Sequence, residues 1–346
     1  INKTQNPTWE LAENNNFRIN ALGNFRDLLA ISAKSPAMLT YLDTIDNNKA
    51  EPNENYAREL LELHTMGVDG GYSHTDIEAL ARVFTGWHIA NEQFSFNTEQ
   101  HDSNDKLILG QVITGGGVEE GEQVFDILAK HPATAQYICY KLSQVFISDT
   151  PAQLLVNNCA ARFLSSHADI YQVMQFLLTS AEFVHASHYR IKIKTPVEYV
   201  VGIIRALNAE PDYHKINDAT TAMGLKLFES SIPTGWSETG DDWLSSNFLL
   251  QRLRFNNRVL HLSSNNNLPE ISLIQLIQEN GYETVDGIVG FTLNLLLNRE
   301  FTLLEFTMAQ NILTDDGPFN INNSDSEIRL KRLFSTVMSF SGYQYQ

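Results

Sequence analysis

The densest group of side chains that could do chemistry lies in one short stretch and comprises Asn53, Glu54, Asn55, Arg58, Glu59, Glu62 and His64. On an α-helix, Glu54, Arg58 and Glu62 share one face because they recur every four residues. Such a face could hold a hard cation between carboxylates, or present an arginine held by glutamates to an anionic group. It could equally be a solvated face of ion pairs, or a buried Arg–Glu brace that ties the helix to nearby loops.

His64 follows Glu62 by two positions, so on an α-helix the two side chains point about 200° apart. They cannot share one ion without ligands from other segments. Glu59, Glu62 and His64 are the metal candidates of this stretch, and a packed or capping histidine is the alternative interpretation of His64. No motif implies a cofactor, and a divalent metal is the class that these residues could bind.

A loop after the predicted helices carries a second set of candidates. The alternation of Phe94 and Phe96 predicts a short strand. The loop that follows it contains His101, Asp102 and Lys106. A loop histidine beside a carboxylate could act as an acid–base or ligand pair, or could simply be part of a charged surface.

A third candidate segment is rich in glycine and runs from Pro233 to Trp243. It contains Trp236 and leads into a predicted helix that carries Arg252. A tryptophan on a turn can stack on the face of a sugar or cap a hydrophobic core, and the sequence leaves both open.

These segments together supply the candidate site. The catalytic candidates are Glu59, Arg58, His101 and Asp102. The substrate-binding candidates are Asn53, Glu54, Arg58, Lys106, Trp236 and Arg252. The sequence contains no nucleophile elbow, H-E-x-x-H, P-loop or dinucleotide fingerprint, so the common enzyme signatures do not apply.

Helical periodicity dominates the elements that must position these side chains. Apolar residues recur at threes and fours over 17–33, and Thr75 with Glu78 fits a capping box that starts a helix. Further helices are predicted at 36–43, 54–66, 122–129, 132–146, 151–165, 170–179, 196–206, 244–255, 273–280, 284–297, 301–313 and 326–339. The sequence thus predicts a mainly α, non-repetitive domain over 1–346, with long functional loops, at most a few short strands and a subdivision near 207–230.

Composition limits the classes of partner. The chain has 346 residues and a formal net charge of −17, with 24 basic side chains against 41 acidic ones. Nucleic acid is excluded as a main partner because polyphosphate binding requires clustered lysine and arginine. No run of about 18 uncharged apolar residues exists, so no membrane span is expected and the protein is predicted to be soluble.

The sequence contains two cysteines, Cys139 and Cys159. They are too few for a disulfide scaffold and fit either redox compartment, and we expect free thiols in the core rather than a bridge. The first residues contain neither a basic region nor an apolar stretch, so they do not form a signal peptide. The composition, low in lysine and rich in asparagine and acids, is typical of a secreted protein.

The blocks PNENYARELLELHTMGVDGGYSHTDIEALARVFTGW, HDSNDKLILG and PTGWSETGDDWL resemble the large bacterial family known as domain of unknown function 1800. The resemblance extends from about residue 17 to the terminal VMSFSGYQYQ. The positions that match family motifs are Asn53, Glu54, Asn55, Arg58, Glu59, Gly86, Trp87, His101, Asp102, Lys106, Gly235, Trp236 and Arg252. His64 departs from a position where an aromatic residue is a frequent alternative.

The resemblance implies a secreted or periplasmic, mostly helical protein. Family members are often encoded beside a second family similar to sulfatases and alkaline phosphatases, which implies a partner protein of that kind. The resemblance brings no established activity. The family pattern also includes earlier helices with a block rich in tryptophan and histidine, so we expect this chain to be truncated at its N-terminus relative to the pattern.

Three functional hypotheses follow. The leading one is a polar pocket, built from helix 54–66, the His101 loop and the Trp236 loop, that binds or processes an extracellular polysaccharide or anionic ester, with a partner protein. The second is a non-enzymatic surface or scaffold module in which the same residues lock long loops to the core. The third is a metal-dependent enzyme that uses glutamate and histidine ligands.

Overall fold

The computed structural model describes residues 6–230, 232–261, 271–298 and 300–346. The predicted mainly α, non-repetitive fold is confirmed, because these residues form sixteen α-helices and only two small two-stranded sheets. No helix within these ranges has the length and apolar character needed to cross a membrane. The chain divides into two compact units. The first comprises the described residues up to His188 together with the short segment 232–235, and the second comprises the rest. A single domain over 1–346, subdivided near 207–230, stays a prediction.

The first unit contains nine of the helices in the described part of the chain. They are α1 (Pro7–Asn20), α2 (Phe25–Ala33), α3 (Pro36–Tyr41), α4 (Asn55–Glu59), α5 (His74–Val83), α6 (Val118–Ala129), α7 (Pro132–Phe146), α8 (Gln153–Ser165) and α9 (Ile170–Leu178). A π-helical segment, Leu60–Thr65, directly continues α4, and short 3₁₀ turns cover Thr44–Asp46 and Ala186–His188.

Both sheets are antiparallel hairpins of the first unit. Strand β1 (Trp87–Ala90) pairs with β2 (Gln93–Phe96), and β3 (Lys106–Ile108) pairs with β4 (Gln111–Ile113). The short strand predicted from the alternation of Phe94 and Phe96 is thus confirmed as β2. Each hairpin is too short to be stable alone, so both depend on packing against the helices.

The core of the first unit is centred on buried aromatic rings. The ring of Phe84 makes edge contacts with both Tyr56 and Trp87, with 4.9 Å between centroids in each pair. The indole of Trp87 in turn packs against Phe94 and Phe125. These contacts tie α4, α5, α6 and the first hairpin into one core.

The glycine before Trp87 is required by the backbone. Gly86 has a φ of 80°, and a Cβ there would lie 2.4 Å from the carbonyl oxygen of Asn97. Its N–H donates to the Asn47 carbonyl at 2.9 Å, and its carbonyl accepts from the Asn97 N–H at 2.8 Å. The family-motif glycine therefore makes a close backbone junction that a side chain would obstruct.

The two cysteines are bonded to each other, which corrects the expectation of free thiols. Cys139 in α7 and Cys159 in α8 form a disulfide with 5.7 Å between their Cα atoms. The helical pattern placed both residues in the core but carried no information on how α7 and α8 face each other. Their antiparallel packing brings the two buried sulfurs together.

The second unit contains the remaining described helices. They are α10 (Pro196–Ala206), α11 (Tyr213–Ala222), α12 (Ser246–Val259), α13 (Leu273–Glu279), α14 (Val285–Leu297), α15 (Leu303–Thr314) and α16 (Ser326–Ser339), with 3₁₀ turns at Gly240–Trp243 and Ser341–Gln344. Helix α16 is central, because its buried Leu330, Leu333, Phe334 and Val337 pack with residues of α10 and α14.

Three local predictions need correction. The periodic stretch 17–33 is two helices, because the chain turns at 21–24 and the Asn24 side chain caps α2 by accepting from the Arg26 N–H. The capping box at the start of α5 is formed by Ser73 and Asp76 rather than Thr75 and Glu78. Helix α11 was not predicted, although Asp212 provides a standard N-cap for it.

Candidate functional site

The segment Asn53–Thr65 is held at its start by amide side chains. The Asn53 Oδ1 atom accepts from the Asn55 N–H at 2.9 Å, which satisfies a donor in the first turn of α4. The Asn53 N–H donates to the Oδ1 atom of buried Asn47 at 2.9 Å, and Asn55 Nδ2 donates to Asp43 at 3.2 Å. Within this set of contacts, Asn53 and Asn55 fix how the helix enters the unit.

The second half of this helix is π-helical rather than α-helical. The Met66 N–H donates to the Leu61 carbonyl at 2.8 Å, and the Thr65 hydroxyl donates to the Leu60 carbonyl at 2.6 Å, each across five residues. A π-helical turn displaces its side chains from α-helical positions, so the angle expected between Glu62 and His64 does not apply. π-Helical segments are rare in proteins, and those that occur often lie at functional sites.

Arg58 lies between two carboxylates, as its spacing predicted. Its Nη2 atom is 2.8 Å from Glu54 and its Nη1 atom is 3.7 Å from Glu62. All three side chains are partly exposed, so the pairs are solvent-screened and the guanidinium stays accessible to a ligand. Burial, and then the charge of Glu62, raise the pKa of Glu59, while Arg58 lowers it.

A histidine and a glutamate from α5 extend this charged face. His74 Nδ1 lies 3.8 Å from the Glu54 carboxylate, and His74 Nε2 lies 3.6 Å from Glu78. One ligand atom from each of the three residues lies within 4.8 Å of the others, which is close enough to share a metal ion. The sequence pattern did not predict this group, although the four-residue spacing of His74 and Glu78 places both side chains on one helix face.

The metal candidates Glu59, Glu62 and His64 are not brought together in this way. Among the described residues, the one group of three ligands within reach of a common ion is that of Glu54, His74 and Glu78. The His64 ring lies near Tyr56, with 6.4 Å between centroids, and burial lowers its pKa to about 4. These surroundings favour a packed, neutral histidine.

His101 and Lys106 converge on a buried carboxylate that the sequence did not suggest. Glu120 Oε1 is 3.2 Å from His101 Nε2, and Glu120 Oε2 is 2.6 Å from Lys106 Nζ, with side-chain exposures of 0–1% for all three residues. His101 Nδ1 contacts the Thr85 carbonyl oxygen at 2.9 Å, and the Gly116 N–H donates to Glu120 at 3.0 Å. A polymeric substrate cannot reach this network, so its geometry favours a structural role.

Asp102 belongs to the rim of the same region. Its carboxylate accepts from Arg82 Nε at 2.7 Å and from the backbone and side chain of Asn104. The hydrogen bond from Arg82 and those from Asn104 hold the pKa of Asp102 well below its usual range. A carboxylate held so strongly in its charged form is a poor proton acceptor at neutral pH, which favours loop fixation over acid–base catalysis.

Trp236 and Arg252 lie in the second unit. Arg252 is 1% exposed, donates to Gln344 at 2.9 Å and to the Lys194 carbonyl at 2.7 Å, and stacks on the Tyr199 ring at 4.7 Å. Burial lowers the pKa of Arg252. Its hydrogen bonds link α12 to Lys194 and Gln344 in the interior of the second unit, which is a structural role. Trp236 is partly buried against a small cluster that includes Trp243, which favours the core-capping interpretation.

The amino-acid sequence identifies the family of this protein. A family model described as "Protein of unknown function (DUF1800)" matches residues 1–344 of the 346-residue chain. The chain belongs to this family. No curated protein and no solved structure matches it.

The family motifs fall into two physical groups. Gly86, Trp87, His101, Lys106 and Arg252 are backbone junctions or buried contacts within their units. The acidic and basic side chains around α4 are instead partly exposed. The accessible polar chemistry of the motif positions in the first unit is therefore concentrated around α4.

Proposed function

We propose that this protein is exported and binds a divalent cation through Glu54, His74 and Glu78, and that the cation and Arg58 together hold an anionic group of an extracellular ligand. The proposal rests on one observation, which is that ligand atoms of these three residues lie within 4.8 Å of one another, with Glu54 at the N-cap of α4 and the other two in α5. Neither helix alone supplies the set, so the fold of the unit creates it.

The donor set determines the kind of ion. One imidazole nitrogen and two carboxylate oxygens suit Zn²⁺ or Mn²⁺ better than Ca²⁺, which prefers six to eight oxygen ligands. Three protein ligands leave coordination positions that water or a ligand oxygen can fill. The site is partly exposed, which allows a group on a large molecule to approach it.

Arg58 adds the second recognition element. Its ion pair with Glu54 orients that carboxylate, and outer contacts of this kind tune the metal ligands. A guanidinium beside a cation favours carboxylate, sulfate or phosphate groups because it can donate two parallel hydrogen bonds. The proposed ligand is therefore an acidic polysaccharide or another anionic ester.

The disulfide between Cys139 and Cys159 supports export. Disulfides persist in oxidising compartments and are rare in the cytosol. A secreted or periplasmic location also agrees with the family resemblance, which further suggests a sulfatase- or phosphatase-like partner protein. That partner would act on the ligand that this protein holds.

Metal-dependent hydrolysis is the second candidate function. It is favoured by the raised pKa of Glu59, since a carboxyl group with a pKa nearer neutrality can both accept and donate a proton. In this scheme a bound cation would polarise the ester group, while Glu59 would take a proton from the attacking water and give it to the alcohol oxygen that leaves when the ester bond breaks. Replacing Glu59 with Gln would abolish turnover and leave metal binding intact.

Calorimetric titration tests the proposed cation site. The chelator-treated full chain should bind one Zn²⁺ or Mn²⁺, and His74→Ala and Glu78→Gln should each weaken binding by about tenfold or more, which is about 1.4 kcal/mol. Binding should also raise the melting temperature, because an ion that binds only the folded state stabilises it by mass action. Arg58→Gln should weaken binding of a sulfated polysaccharide by a larger factor than it weakens metal binding, because it removes the guanidinium and leaves all three metal ligands in place.

Two control variants make the titration specific. His214→Ala and Glu119→Gln remove an exposed imidazole and an exposed carboxylate elsewhere on the chain, and should leave the affinity unchanged. Equal affinity in wild type, His74→Ala and Glu78→Gln would exclude this site.

A further inference from the structure

A second cleft of the first unit is lined by none of the residues of the proposed cation site. It has a volume of about 570 Å³ and is formed by α1, the α2–α3 junction and the turn between β1 and β2. Its lining includes Trp9 and Glu13 from α1 and Lys34, Ser35 and Pro36 from the junction. This volume is in the range of sites that hold small molecules or one or two sugar rings.

Three polar atoms in this cleft are buried without a hydrogen-bond partner among the described residues. They are the indole N–H of Trp9, which can only donate, the Oε1 atom of Glu13 and the hydroxyl of Ser35. Buried polar atoms in folded proteins are almost always paired, so three unpaired atoms in one cleft require an explanation. A ligand group that both accepts and donates a hydrogen bond would satisfy the Trp9 and Glu13 atoms.

The charges around the cleft favour a neutral ligand over a strongly ionic one. Burial and the charge of Glu10 raise the pKa of Glu13 to about 7, so this carboxyl group is easily neutralised. The ammonium group of Lys34 is already paired with Glu122. A cationic ligand would meet Lys34, and an anionic ligand would meet Glu13 and Glu92, so a neutral ligand fits best.

We propose that this cleft binds a neutral sugar residue, with one hydroxyl group that accepts from Trp9 Nε1 and donates to Glu13. A hydroxyl group is the common neutral group with both capacities. The apolar lining from Ala30, Ile31 and Pro36 would contact the C–H groups of the ring. The protein would then hold a glycan at this cleft independently of any cation.

The test is a calorimetric titration of the full chain with maltotriose, cellotriose and laminaritriose, in the presence of a chelator. At least one should bind, since concentrations up to about 10 mM detect even millimolar affinity. Trp9→Phe keeps the apolar ring and removes the donor, and Glu13→Leu keeps a similar size and removes the acceptor. Each should weaken binding by about tenfold.

The control is Asp27→Asn, which removes an exposed carboxylate of α2 outside the cleft and should bind as wild type does. Melting curves of all variants check that they fold. Absence of binding by every neutral trisaccharide, or equal binding by wild type, Trp9→Phe and Glu13→Leu, would overturn the proposal and assign the cleft to water alone. Because the titration contains chelator, the result is independent of the proposed cation site.

Discussion

Burial controls the protonation of His64. The ring packs near Tyr56 and burial penalises its charged form, which lowers its pKa to about 4 from an ordinary value of 6.5. At neutral pH the folded and unfolded states both carry a neutral imidazole. Below about pH 6.5 the unfolded state takes up a proton that the folded state does not, so stability falls as the pH falls towards 4.

His64→Phe tests this coupling. The variant retains an aromatic ring and removes the titrating group, so it should lose less stability than wild type when the pH falls from about 7 to about 4.5. The difference should be on the order of 2 kcal/mol, because each pKa unit corresponds to about 1.4 kcal/mol. Urea unfolding at both pH values measures it.

The exposed His214 supplies the comparison for this experiment. His214→Ala should show the same pH dependence as wild type. If His64→Phe also follows the wild-type profile, the His64 ring titrates normally and the assigned packing is incorrect.

At the scale of elements, the buried Glu120 network joins α6 to the loop before β3 and to β3 itself. Glu120 is the common partner of His101 and Lys106, and all three side chains are excluded from solvent. Removal of the carboxylate would leave the buried ammonium group of Lys106 without a counter-charge, although it still donates to the Asp102 carbonyl. Breaking a buried ion pair in this way commonly costs several kcal/mol.

We therefore expect Glu120→Ala to lower the free energy of unfolding by about 3–5 kcal/mol. The neighbouring Glu119 is exposed in the first turn of the same helix, so Glu119→Ala should change stability by about 0.5 kcal/mol or less. Chemical denaturation of the two variants compares them directly. Equal effects would mean that the network contributes nothing beyond an ordinary surface charge.

The elements that sequence predicted well are those with local signals. Regular apolar spacing predicted most helices, and alternation of Phe94 and Phe96 predicted β2. The π-helical segment Leu60–Thr65 has no such signal, because its hydrogen bonds depend on how the helix packs. The break at 21–24 was missed since the apolar period continues across it.

The parts of the candidate site that could be predicted from the sequence are those whose residues lie within one helix. The spacing of Glu54, Arg58 and Glu62 lies within one helix, and the structure has both ion pairs. The approach of His74 to Glu54, and of Glu120 to His101, joins segments about twenty residues apart. The spacing of residues in the sequence does not reveal contacts between segments so far apart. The Glu54–His74–Glu78 group and the buried Glu120 network are therefore visible only in the structure.

In the whole molecule, the net charge of −17 and the disulfide have opposite effects on the stability of the folded state. The negative charge repels polyphosphates and attracts cations, which raises their local concentration at the proposed site. Repulsion between like charges also destabilises the compact state. A covalent link that restricts the unfolded chain opposes this repulsion.

The Cys139–Cys159 bond closes a loop across 20 positions. Its effect on stability tests whether the disulfide forms, and the proposed export depends in part on that disulfide. Restricting the unfolded chain by a loop of this length should stabilise the fold by about 3 kcal/mol. Reductant should therefore lower the melting temperature of the wild type. The double variant Cys139→Ala, Cys159→Ala should melt at a lower temperature and be insensitive to reductant, which serves as the internal control. Thiol labelling of the native wild type with no reductant present would show free cysteines and remove the support that the disulfide gives to export.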